Sequence, residues 1–408
     1  MSAVPNVITR KWSEEYPELG TGPVPVEPSI SQEYFELERE RIFRKVWLHI
    51  GCRVEEIPEP GDYFVKEIKM CNASVLVVRG KDGVIRGFHN VCTHRGNKLA
   101  WDERGSLTAI SCKFHGWTFD LQGRLTRVPD EDQFHDLKKS EHNLIPVATD
   151  VWEGFIFINL DPKPKESLKE YLGELWDGLA GYPFGKLSPC YEYNGEIKCN
   201  WKTCKGAFQE GYHAPFLHAR SANRWITRKE NPLAHLPAFK IFGPHDMMSV
   251  PANANVRPTP TGALAARLAR SMTRLHTREA KDLEGLPRLM NPSKDPNWAF
   301  DTFILFPNFQ VQLWSTGWYL ATSFWPLAVD RVLMQRRVYF PAPKNAGERF
   351  AQEFSKRTNR DVNMEDLSTL EYTQEGLASG ALTHVLLQEQ EIAVRHFHKV
   401  VEEYVRSP

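Results

Sequence analysis

Two short ligand-type clusters constrain this chain's fold most: Cys92-Thr93-His94-Arg95 and, with seventeen residues intervening after His94, Cys112-Lys113-Phe114-His115-Gly116-Trp117. The first half reads C-x-H and the second C-x-x-H. Each follows a β-type run and ends in a turn, Arg95-Gly96-Asn97 in one and His115-Gly116 in the other. Two such loops at the ends of neighbouring hairpins can grip one metal centre from both sides, which calls for a small antiparallel β domain around them. Cys₂His₂ is also a zinc set, but zinc-finger spacing places both cysteines first and both histidines last, and the order here alternates. Chance clustering of buried cysteines and satisfied histidines is the plain alternative. Four ligand-type residues in two compact pairs argue against it.

Two thiolates on one iron and two imidazoles on the other is the Rieske arrangement, whose potential lies above that of an all-cysteine cluster. The other cysteines do not compete with that reading. Seven cysteines spread over 408 residues are odd in number and too sparse for a disulfide framework. The expected compartment is therefore the reducing cytoplasm, and the first twenty residues lack the apolar run of a secretory signal. No stretch approaches the eighteen or so apolar residues of a membrane span. Lys+Arg and Asp+Glu both number 51, so the basic excess that nucleic-acid binding needs is absent.

A chain of this length exceeds what one core usually covers, and two domains are expected. Residues 1–46 form an arm and a helix over 32–47, with Phe35, Leu37, Ile42, Phe43 and Val46 on one stripe. Residues 47–162 carry β-type runs at 63–68, 74–78, 84–88, 107–111, 117–121 and 154–159, with Asp82-Gly83 and Gln122-Gly123 marking tight hairpins. Residues 163–408 are mixed. Helices are predicted at 168–179, 201–212, 264–275, 346–378 (with or without interruption) and 384–405, and long strands at 303–314, 318–325 and 332–340. The order fits an α+β catalytic domain with a β domain inserted near its N-terminal end.

The second half decides whether the chain does more than carry electrons. Glu210-Gly211-Tyr212-His213-Ala214-Pro215-Phe216-Leu217-His218 holds two histidines five residues apart, about 140° from each other on a continuous helix. Pro215 disfavours helical geometry in the residue before it, so a bend between them is expected to let both reach one metal. A carboxylate would complete the facial triad of a non-haem Fe(II) oxygenase. Asp361, Glu365, Asp366 and Glu371 are the acids available, and a solvated helix face is the bland reading of each. Glu210, three residues before His213, is placed on the same helical face, where it can accept a hydrogen bond from that imidazole and fix its tautomer. Phe208, Phe216, Leu217, Phe306, Asn308, Val311 and Leu313 are the expected pocket residues, suited to an aromatic or otherwise hydrophobic substrate. No Gly-rich dinucleotide fingerprint is present, so electrons from NAD(P)H are expected through separate proteins.

Cys92-x-His94-Arg95-Gly96 and Cys112-x-x-His115-Gly116-Trp117-x-Phe119 resemble the Rieske motif of the ring-hydroxylating oxygenase α-subunits. The resemblance runs from the N-terminal helix to Glu391…Arg395-His396-Phe397-His398 and is weakest over 230–300. It implies a Rieske domain inserted in a helix-grip-like catalytic domain, with a central antiparallel sheet flanked by helices. It implies a [2Fe–2S] cluster on Cys92, His94, Cys112 and His115, and Fe(II) on His213, His218 and Asp366. Asp366 is singled out because in the family an acid precedes a Gln-x-Gly-Leu, here Gln374-Glu375-Gly376-Leu377, by a similar interval. Glu210 would bridge His213 to His94 or His115 across the interface of a homotrimer, with or without a small β subunit. A ferredoxin, a flavin reductase or both would supply electrons, and O₂ would be used for dihydroxylation or monohydroxylation, with oxidative N- or O-demethylation as the alternative. Two departures stand out: Phe114 where many relatives have tyrosine, and Gly206-Ala207 before Phe208 where many have Glu-Asn. The second implies a roomier, less polar pocket floor. The rivals are a Rieske electron-transfer protein without oxygenase activity and a zinc hydrolase built on His213 and His218.

Overall fold

The computed structural model describes residues 10–257, 259–268 and 285–407. Its contacts divide the chain into two compact units, Arg39–Tyr171 and a second made of Met1–Glu38 with Leu172–Pro408.

The Arg39–Tyr171 unit is built on an antiparallel seven-stranded sheet. Its strands run in the spatial order Leu48–Arg53, Phe155–Asn159, Pro146–Trp152, Ile85–His89, Ala73–Arg79, Asp62–Ile68, Arg104–Ser106. A smaller three-stranded sheet, Ile110–Ser111, Thr118–Phe119 and Leu125–Arg127, lies in the same unit. The β-branched and aromatic residues of these runs bury one core containing Leu76, Val78, Phe88, Trp117, Phe119 and Leu121, and Cys92 and Cys112 belong to it. Each of those large side chains contributes about 1.5–3 kcal/mol on burial, so the two cysteine loops hang from a firm base.

The other unit centres on a second seven-stranded antiparallel sheet. Its spatial order is Leu187–Ile197, Arg331–Pro341, Tyr319–Ala328, Phe309–Trp314, Trp298–Leu305, His245–Pro251, Ala238–Phe242. The Trp201–Gly206 helix packs on the Tyr319–Ala328 and Arg331–Pro341 strands, and the Ile392–Arg406 helix on His245–Pro251. Asn200 caps the first of these, its side chain accepting the Lys202 N–H at 3.0 Å. The 33-residue Ala346–Ala378 helix runs uninterrupted, and Asn345 caps it by accepting from Glu348 N at 2.9 Å. A fully buried Glu38–Lys202 ion pair ties the Gln32–Glu38 helix to this unit, and Trp201 Nε1 donates to the same carboxylate at 2.8 Å. No helix of the described residues is long and apolar enough to cross a membrane.

Several elements differ from the sequence reading for identifiable reasons. The run 303–314 is a hairpin of two strands, and Pro307 with Asn308 forms the turn. The helix expected over 201–212 stops at Gly206, where poor helix formers accumulate (Gly206, Gly211). Residues 168–179 form two short helices, Leu168–Leu172 and Leu175–Gly178, broken at Gly173 with φ 52°. The N-terminal helix over 32–47 gives way after Glu38 to a wide turn, Arg39–Phe43. The last helix starts only at Ile392, because His384–Val385 pairs as a strand with Val24–Pro25. The Leu187–Ile197 edge strand escaped notice: Pro189, Gly195 and a largely exposed face break its apolar alternation. Of the helix expected over 264–275, the Pro260–Leu268 helix covers the start, and 269–275 lie outside the described residues.

Candidate metal centres

The two cysteine loops of the Arg39–Tyr171 unit are closed by the same pair of hydrogen bonds. Cys92 N donates to Asn97 O at 2.8 Å and Gly96 N to Cys92 O at 2.9 Å; Cys112 N donates to Trp117 O at 2.8 Å and Gly116 N to Cys112 O at 2.9 Å. Each loop turns on a left-handed glycine, Gly96 at φ 75° and Gly116 at φ 71°, a conformation a Cβ would strain. Burial raises the Cys92 thiol although the N–H groups of His94 and Arg95 pull the other way. At Cys112 the burial cost is outweighed by the N–H groups of Phe114 and His115, which hold the thiol low. Desolvation, aided by the charges of His115 and Arg95, pushes the His94 imidazole below its ordinary value. The His94 and His115 rings lie 4.7 Å apart, and His94 stacks on Trp117 at 4.8 Å. Both Nδ1 atoms are buried with no hydrogen-bond partner. Two sulfurs fed by backbone N–H donors and two orphaned imidazole nitrogens are the donor set a Rieske cluster requires.

In the other unit His213 and His218 flank a single helical turn, Ala214–Leu217. Pro215 sits in its first turn, where the missing N–H costs nothing, so the expected bend between the histidines is corrected. The break falls upstream, across 207–213. Glu210 consequently reaches His213 through a turn and not along a helix face. Its carboxylate accepts the backbone N–H groups of Tyr212 and His213, the latter at 3.1 Å, and contacts His213 Nδ1. His218 Nε2 lies 2.9 Å and His213 Nε2 3.4 Å from Asp366 Oδ1, and the two Nε2 atoms are 3.2 Å apart. Ligands about 2.0–2.2 Å from one ion, at right angles, are separated by about 3 Å, so the three atoms fit one face of a coordination octahedron. The acids are sorted as well. Glu365 takes His218 Nδ1 at 2.7 Å and also holds Ser221, while Asp366 faces the imidazoles' other nitrogens. Burial lowers the His213 imidazole, but hydrogen bonds and charge from Asp366 and Glu210 carry it up to about 10. His218 rises against its burial for the same reason, with Asp366 and Glu365 beside it. Asp366 is held low by both imidazoles despite being buried. Such a field demands positive charge at its centre.

A cavity opens on this triad. The Ala346–Ala378 helix presents Phe354, Thr358, Val362 and Asp366 at four-residue spacing, so one stripe supplies both wall and ligand. The sheet contributes Gln312 and Trp314 from one strand, Trp318 and Leu320 around the next, and Arg336. Phe208 and Trp225 complete an aromatic lining. Trp314 stacks on Trp318 at 4.6 Å and packs against Phe300 at 4.4 Å. Among the expected pocket residues Phe208 lines this space; Leu217, Phe306, Asn308 and Val311 do not, nor do Phe216 and Leu313. Val311 and Leu313 alternate with Gln312 and Trp314 and so face away. Phe306 packs on Tyr404 at 5.1 Å under the last helix, and Asn308 is buried in the hairpin turn. Leu217 belongs to the single turn between the histidines, and Phe216 is exposed. Arg336 and the three tryptophans have no counterpart in the sequence reading, and Glu365 enters it only as a possible iron ligand, not as the partner of His218 Nδ1. The 354/358/362/366 spacing is the sequence signal that could have found the helix wall.

The family model for the ring-hydroxylating α subunit (catalytic domain) matches residues 184–407, and that for the Rieske [2Fe–2S] domain matches 47–147. The chain is 35% identical over 192 residues to the glycine betaine monooxygenase oxygenase subunit of Chromohalobacter salexigens, covering 47% of this chain and 42% of that protein. It is 33% identical over 204 residues to the 2-aminobenzenesulfonate 2,3-dioxygenase subunit alpha of an Alcaligenes species, covering 48% and 50%. The chain thus spans about half the length of the curated relatives it matches. Among solved structures, a quaternary ammonium Rieske monooxygenase superposes with a TM-score of 0.75 over 94% of this chain and 95% of its own, at 21% identity, a likeness of fold.

Proposed function

The chain belongs to the ring-hydroxylating α-subunit family, and on that premise we propose that it is the terminal oxygenase of a Rieske system, hydroxylating a small molecule with O₂. The observation that carries this reading is the convergence of His213, His218 and Asp366 on an aromatic-walled cavity. Iron held there would activate O₂, with electrons supplied by a [2Fe–2S] centre on Cys92, His94, Cys112 and His115. The chain's own groups prepare the place. Glu210 and Glu365 each take one Nδ1, which fixes both tautomers and leaves both Nε2 atoms toward Asp366. The tryptophan and phenylalanine walls exclude water and receive the substrate's body. Aromatic faces accept both a flat ring and a methylated ammonium, the substrate types named for the relatives. Hydroxylation is the step common to both, and on an N-methyl group it ends in demethylation. An aromatic hydrocarbon is the less favoured candidate, since Arg336 places a buried cation in the same cavity.

Electrons would come from a ferredoxin, a flavin reductase or both, in the cytoplasm. In a homotrimer, Glu210 would link His213 to His94 or His115 of the neighbouring subunit. Oxygen uptake with a surrogate reductase and a panel of aromatic acids, neutral aromatics and N-methylated compounds tests the activity; no substrate-dependent uptake by the iron-loaded protein refutes it. Glu210→Gln should keep cluster absorption and lose turnover. Near-normal turnover would remove the link assigned to that carboxylate.

A further inference from the structure

Arg336 is 4% exposed, lines the cavity and makes no ion pair among the described residues. Its Nε donates to Thr322 Oγ1 at 3.0 Å, and its guanidinium lies 4.5 Å from the centre of the Phe208 ring. Nη2 is buried with no hydrogen-bond partner. Leaving a charged donor desolvated and unpaired is costly, and a fold keeps such a group when a ligand satisfies it. The carboxylate closest in function, Asp366, is committed to two imidazoles. A structural role in holding the sheet would be served by Nε and the Phe208 face alone.

We propose that the substrate carries an oxyanion, a carboxylate or a sulfonate, and that Arg336 binds it. This deepens the oxygenase reading and rests on it for the word substrate. A guanidinium offers paired N–H groups to a planar or tetrahedral oxyanion, and in a water-excluded cavity that contact selects strongly. It also works against a bare quaternary ammonium, which Arg336 would repel, and for a zwitterion or an aromatic acid.

Three tryptophans of the cavity report occupancy, so the holoprotein's intrinsic fluorescence can be titrated without turnover. The probes are matched pairs: benzoate and benzamide, benzenesulfonate and benzenesulfonamide, glycine betaine and choline. In at least one pair the acid should bind about ten- to a hundredfold tighter than its neutral or cationic match, the worth of a charged hydrogen bond. Which pair shows the gap separates carboxylate from sulfonate. Arg336→Gln should erase the gap, and Arg336→Lys, which keeps the charge but loses the fork, should retain only part of it. Equal binding within every pair, no quenching by any acid, or an undiminished gap in Arg336→Gln would overturn the proposal. If Arg336→Gln does not fold, an undiminished gap in Arg336→Lys serves as the overturning result. Iron content and oxygen uptake are read separately. A protein active on neutral compounds loses this inference and keeps its oxygenase assignment, whereas acid-selective binding without oxygen uptake does the reverse.

Discussion

The two candidate metal centres are built in opposite ways. The cluster set lies within 92–115, on two loops closed by identical hydrogen bonds, so local chain geometry nearly completes it. The triad joins 213 and 218 to 366 and depends on a long helix docking correctly against a sheet. A local site tolerates change elsewhere in its unit; a site assembled across 150 residues of chain inherits every fault of the packing between.

The largest expected effects break the two centres separately. Cys112→Ser should bleach the cluster and leave the triad able to bind iron. Asp366→Ala should keep the cluster spectrum while iron falls from about three to about two per chain. Iron analysis beside visible absorption checks both, and turnover should vanish in each. Next comes the buried Glu38–Lys202 pair. Lys202→Met leaves a desolvated carboxylate and should cost about 3–5 kcal/mol in urea unfolding, with the double change Glu38→Leu, Lys202→Met recovering most of it. Glu365→Ala removes the partner of His218 Nδ1, and iron affinity at the triad should fall about 10–100-fold in a chelator competition, with the cluster unaffected. The smallest effect belongs to the Lys98–Glu67 pair, about half exposed on both sides. Lys98→Ala should change stability by about 1 kcal/mol or less, a contrast with Lys202 that measures what burial adds.

The same contrast explains what the sequence made legible. The cysteine–histidine loops were readable because ligands, turn glycines and flanking β runs are neighbours in the chain. His213 and His218 were readable for that reason too, although the role given to Pro215 was not. Helix periodicity alone does not separate Glu365 from Asp366, which only the family resemblance singled out: adjacent on a helix, they point about 100° apart, and the docked helix shows which meets which imidazole nitrogen. The pocket list failed at Val311 and Leu313 because alternation tells which residues share a face, not which face borders a cavity. Gln310 on that side is buried and Gln312 and Trp314 are half-buried, so a polar Gln312 gave no sign that its side bordered a cavity. Phe306 and Asn308 were misplaced because a hairpin was read as one strand.

The stripe Phe354, Thr358, Val362, Asp366 amounts to a graduated ruler fixed to the metal ligand. Each four-residue step carries the wall about 6 Å along the helix axis. A bulkier side chain at 362 would crowd the reacting carbon and redirect attack to another atom, whereas one at 354 would only trim the longest molecules admitted. Changes along one helix could thus retune reach and regiochemistry independently while the iron ligands stay as they are.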